Sequence, residues 1–122
     1  MSIASSLRRR SQPVAMARHP NDIDLMRITR AIEQRERYRY VRPSVGTVTG
    51  GYLVRSPCCS RNVDAEGGEI DVALMTWSDS AREWSLFHRD HAAQCWREDG
   101  RFARLGELLM RLNADPARVF WP

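Results

Sequence analysis

Two runs of alternating side chains, separated by a short polar loop, do most to limit the folds open to this chain. The run "EIDVALMTW" from Glu69 alternates two ways, with Ile70, Val72 and Leu74 on one face and Asp71, Ala73 and Met75 on the other. The run "EWSLFHRD" from Glu83 puts Trp84, Leu86 and His88 on one face. A period of two is the signature of a strand. The link between them, "SDSAR", is made of turn formers. So short a link joins antiparallel neighbours, because a parallel return needs a crossover of about a dozen residues or more. "GYLVRS", which follows Gly50-Gly51, alternates Tyr52 and Val54, and "QCWRE" runs up to the turn signal Asp99-Gly100. The expectation is an antiparallel meander of three to four strands.

Helical periods flank this meander. Asn21 or Asp22 can cap a helix start, and Leu25, Ile28 and Ile32 then recur at helical spacing with Met26 and Ala31 beside them. Arg27, Arg30, Glu33, Arg35, Glu36 and Arg37 mark the outer face. This helix is expected to run out near Tyr38, since Pro43 disfavours helical geometry at Arg42. A second helix is expected from about Arg101 to Asn113, with Phe102, Leu105, Leu108, Leu109 and Leu112 on its apolar face, stopped by Asp115-Pro116. The terminal pair Phe120 and Trp121 is expected to tuck onto the core. The class is therefore α+β: an N-terminal helix, the meander, and a C-terminal helix packed on one sheet face.

A chain of 122 residues is one domain on ordinary size grounds. The division expected is a disordered basic tail over 1–19 and a single domain over 20–122. Arg8, Arg9, Arg10 and Arg18 lie in the first eighteen residues, which hold no acid, and they account for the whole net charge of +4. The tail is rich in Arg and Ser like a transit peptide but lacks the apolar stretch of a secretory signal. A disordered extension is the plainer reading, an over-extended start with Met16 as the initiator being one form of it. The absence of Lys reads as base-composition bias. Three cysteines, an odd number, point to free thiols in a reducing cytoplasm. No apolar run approaches the length of a membrane span.

Three stretches together, "RAIEQRERYRYVRPSV", "REWSLFHRDHAAQCW" and "LLMRLNADPARVFWP", resemble the family of small bacterial proteins called domain of unknown function 3024. Members open with a helix, carry a Trp-bearing hairpin and close on a helix followed by D-P-x-x-x-F-W, here Asp115, Pro116, Phe120 and Trp121. The resemblance covers the chain after its tail and implies the same fold. It implies no activity.

The residues offer several candidate sites. Cys58 and Cys59, in "SPCCSRN", and His88, His91 and Cys95, in "HRDHAAQC", are zinc ligand types from two chain segments. Were the hairpin to turn at His91-Ala92, His88 and Cys95 would stand opposite each other. Against zinc stand the absence of a C-x2-C pair and the ordinary use of cysteine as a small core residue. A thiolate site would draw on Arg55 and Arg61 beside the cysteines, with His88 and Asp90 or Asp64. The carboxylates Asp64, Glu66, Glu69 and Asp71 do not follow the calcium-loop spacing, and Gly67-Gly68 is read as a hairpin turn.

Trp77, Trp84 and Trp96, with Arg82, Arg89 and Arg97 among them, could stack single-stranded bases. The arginines are interleaved with acids, and core packing is the plainer role. The Arg8–Arg10 tail is the best support for nucleic-acid binding. The leading expectation is a non-catalytic cytoplasmic module that binds a protein partner or itself. Its surface would be the helix-free sheet face, with Trp77, Trp84, Trp96 and Arg89. The alternatives are a zinc- or thiol-bearing regulatory module, with zinc as the only cofactor considered, and a nucleic-acid binder. An enzyme comes last.

Overall fold

Asn21 starts the first helix as the sequence suggests. Its Oδ1 accepts the Asp24 backbone N–H at 2.8 Å, satisfying a donor that no earlier turn can reach. The computed structural model describes residues 18–35, 42–57 and 68–121. Within them run α1 (Asp22–Ile32), β1 (Ser44–Val48), β2 (Gly51–Pro57), β3 (Glu69–Ser78), β4 (Glu83–Asp90), β5 (Cys95–Phe102) and α2 (Leu105–Ala114). The strands form one antiparallel sheet in sequence order. Among the described residues the fold is α+β with five strands, where the sequence pattern suggested three to four.

Both helices cover the same sheet face, side by side. α1 lies chiefly against β1, and α2 against β4 and β5. Beneath them the inward residues of alternating strands meet: Tyr52 and Val54 from β2, Ala73 and Met75 from β3, Trp84 and Leu86 from β4. Ile28 and Ile32 reach this layer from α1, and Leu105, Leu108, Leu109 and Leu112 from α2. Burying side chains of this kind is worth roughly 1.5–3 kcal/mol each against leaving them in water. Asn113 ties the helices together, its Nδ2 donating to the Ala31 carbonyl at 2.8 Å.

The end of the chain closes the core. Phe120 and Trp121 are both buried, as expected for the terminal pair, and the Trp121 indole N–H donates to the Leu112 carbonyl at 3.0 Å. Asp115, fully buried, sits in the left-handed region at φ 29° just after α2. Its Oδ1 accepts the Val119 N–H at 2.7 Å, and its Oδ2 accepts those of Phe120 and Trp121 at 2.9 and 2.8 Å. One carboxylate thus holds the whole returning loop.

Three boundaries differ from the sequence reading. α1 ends at Ile32 rather than near Tyr38, because the chain turns to bring Arg35 inward. That side chain is 2 % exposed, donates to the Ile32 carbonyl at 2.9 Å and lies over the Trp121 ring at 4.9 Å. β5 does not stop at Asp99-Gly100 but runs on to Phe102, with a register shift opposite Leu86 and Phe87 that absorbs the extra residue. Consequently α2 begins at Leu105, not Arg101.

Candidate functional site

Arg18 and His19, assigned above to the tail, are among the described residues, and residues 1–17 are not. The His19 ring sits against Trp84, Trp77 and Tyr52, with centroids 4.7, 5.7 and 5.9 Å away. Tyr52 Oη accepts the Asn21 N–H at 3.0 Å and shares a hydrogen bond with His19 Nδ1 at 2.8 Å. Burial raises the Tyr52 pKa, with the Asn21 N–H pulling the other way and the Asp24 charge raising it further. The His19, Trp77 and Trp84 rings line one side of an open cleft of about 660 Å³, rimmed by Arg27, Arg104, Glu107 and Met110. Arg27 is already paired with Asp24 at 2.8 Å. No sequence signal singled out His19, since a His-Pro step reads as a linker.

Trp77, Trp84 and Trp96 do not share a surface. Trp84 is only 4 % exposed and lies under the helices, and Trp77 stands opposite it on β3 with the two rings 5.4 Å apart. The indole N–H of Trp77 donates to Asp79 at 2.8 Å. The helix-free face is set by the alternate residues of the same strands. Leu53, Leu74 and Phe87 form one cross-strand row there, all half-buried, with Glu98 next in line. Trp96 stands one pair further along this face, opposite Arg89, whose guanidinium lies over the indole at 5.3 Å. Around the row sit ion pairs of both signs: Arg55 with Asp71 and Glu69 at 3.0 and 3.5 Å, and Arg101 with Glu98 and Glu83 at 2.9 and 3.5 Å. Glu69 and Asp71, weighed above as part of a calcium loop, are thereby engaged with Arg55.

His88, His91 and Cys95 lie at the end of the sheet where β2 finishes. Pro57, the last residue of β2, stands opposite Glu69, and Asp90 stands opposite Cys95. Cys58 and Cys59, which follow Pro57, lie outside the described residues, as do Asp64 and Glu66. The hairpin does not turn at His91-Ala92. A four-residue turn, His91–Gln94, connects the strands, so His88 faces Arg97 rather than Cys95. Asp90 Oδ1 accepts the Ala93 N–H at 2.9 Å, Gln94 takes the left-handed φ of 56°, and Arg97 closes the turn on Asp90 at 2.6 Å. The Ala93 N–H first, and Arg97 second, hold the Asp90 carboxyl below its usual range. Burial, helped by Arg89, lowers His91. His88 packs edge-on against Phe120 at 6.0 Å, and its buried Nδ1 has no hydrogen-bond partner among the described residues. Cys95 is a half-buried free thiol. Among the described residues, no group of three or more His, Cys, Asp or Glu could hold a metal ion.

The Arg8–Arg10 tail lies outside the described residues. Among those described, no helix is long and apolar enough to cross a membrane. No curated protein and no solved structure matches the chain. One family model, described as "Domain of unknown function (DUF3024)", matches residues 16–122, a span that takes in both helices, all five strands and the Asp115 closure. The chain belongs to this family.

Proposed function

We propose that this chain is a non-catalytic interaction module whose helix-free sheet face binds a protein partner. The observation that supports the reading is the row Leu53, Leu74 and Phe87, ending beside the Arg89–Trp96 stack and rimmed by ion pairs. An apolar centre with an aromatic and an arginine, inside a polar rim, is the composition of a protein-binding patch. The rim carries both signs, which suits a partner of mixed charge. Affinity for a partner that co-purifies with the full chain is expected to fall about 30-fold in Trp96→Ala, the loss of one hot-spot residue at about 2 kcal/mol. Met110→Ser, on the opposite side of the molecule, leaves it unchanged. A partner lost in Met110→Ser and retained in Trp96→Ala would move the surface to the helices.

A second reading is a zinc- or thiol-bearing module using Cys58 or Cys59 with His88, His91 and Cys95. It is supported by the buried Nδ1 of His88, unpartnered among the described residues, and by the position of Pro57 at the sheet end that carries Cys95. An imidazole nitrogen and thiolates are the donors that zinc prefers, and zinc held there would tie the hairpin tip to the segment after β2. Protein purified without chelator should then hold one zinc per chain, released by Cys95→Ser. Metal-free protein with freely reactive thiols removes this reading.

A further inference from the structure

The two edges of the sheet are built differently. β5 carries Arg97, Glu98, Asp99 and Arg101 and an irregular register, the usual means of keeping an edge from pairing. β1, "SVGTV", has no charge and a regular register, and among the described residues it has a neighbour on one side only. The two-residue turn Thr49-Gly50 joins it to β2, with Val48 opposite Gly51. In such a hairpin the closing pair carries the ladder bonds, and bonding alternates from there. The N–H and C=O of Val45 and Thr47 therefore point away from β2.

We infer that β1 pairs antiparallel with β1 of a second copy of this chain, across a two-fold axis at Gly46. The parity fits. Centring the axis on Gly46 sets Val45 opposite Thr47 of the other copy, so the outward donor of each meets the outward acceptor of the other on both sides of the axis. Gly46 at the axis has no side chain, and even a Cβ there would meet nothing within 4 Å. Val45 and Thr47 lie on the helix-covered face, where they form β-branched cross-strand pairs. An edge without charge accepts an edge without charge, and this one is complementary to itself, as a closed two-fold interface requires.

α1 adds to the same contact. Asp24 and Arg27 face the cleft beside α2, and Met26, about 160° round the helix from Asp24, falls on the flank away from α2. Met26 is 54 % exposed, and the pairing brings the two copies of α1 onto adjoining strands with Met26 between them. This interface is separate from the sheet face proposed to bind a partner.

Sedimentation of the full chain over a concentration series tests the inference. The mass is expected to rise from 14.1 kDa towards twice that value. Thr47 is exposed, so Thr47→Lys is tolerated by the single chain but sets two ammonium groups beside the axis. It is expected to weaken association about 100-fold, and Trp96→Ala to leave it intact. In the unaltered chain, the Val45 and Thr47 amides are expected to exchange with solvent more slowly as concentration rises. The inference fails if the mass stays at 14.1 kDa, if Thr47→Lys associates as well as the unaltered chain, or if those two amides exchange at one rate throughout. Association lost in Trp96→Ala and kept in Thr47→Lys assigns the contact to the open face and also overturns it.

Discussion

Replacing Asp115 by alanine is expected to lower the free energy of unfolding by about 4 kcal/mol and the melting temperature by about 15 °C. The carboxylate accepts three backbone N–H groups, from Val119, Phe120 and Trp121. A hydrogen bond to a charged acceptor contributes roughly 1.5–3 kcal/mol, and each buried donor stripped of its partner costs about 1–3 kcal/mol. Simple addition overstates the sum, because the freed loop can turn some donors to water. Asp115→Asn keeps the shape and loses the charge, so about half the effect is expected. Thermal unfolding followed by circular dichroism measures both. A change below about 1 kcal/mol in the alanine variant would mean that the loop is held by its aromatic side chains alone.

Gly51→Ala is expected to cost roughly 3 kcal/mol or more, from a single methyl group. A Cβ at this position would overlap the Met75 carbonyl oxygen and stand 3.0 Å from two further backbone atoms. Overpacking usually costs about 1–3 kcal/mol when side chains can shift. Here the obstacle is the neighbouring strand's backbone, held in register with Thr76 opposite Gly51. Relief requires moving β2 from β3 at the start of their ladder. Gly50→Ala, next to it, has open space around it and pays only for its φ of 76°. Urea unfolding of the two variants separates the effects. Equal midpoints would show that β3 yields at no more than the cost of the strained φ at Gly50.

The periodic elements were legible because burial on one face leaves a repeating mark. Ile28 and Ile32, Leu105 to Leu112, and the alternation of Trp84, Leu86 and His88 all carry it. β1 left none: five residues with a glycine at their centre hold too little apolar pattern to stand out, and the strand exists because β2 offers it a ladder. Asp99-Gly100 reads as a turn since both residues favour bends, yet the sheet absorbs them as an irregularity in β5. Alternation gave the side chains that share a face but not which face the helices would cover, and so Trp84 and Trp96 were grouped. The register of His88 turned on the hairpin tip. Asp90, placed to accept the Ala93 N–H, is the signal that would have set a four-residue turn. His19 is placed by Tyr52, 33 residues away, and by Trp77 and Trp84, all beyond the reach of a local pattern.

The closing loop also sets a constraint on how the molecule is made. Asn113 on the last helix meets Ala31 on the first across 82 residues of chain, and Phe120 and Trp121 complete the core that Ile28 and Ile32 begin. A chain growing at about 5–20 residues per second exposes its sheet and first helix well before those partners exist. The apolar side chains of α1 and the inner face of β2 to β4 must wait, unshielded, until residue 121 has cleared the ribosome. Completion of the core is thus the last event for this domain, and the interval before it is when chaperones have most to bind.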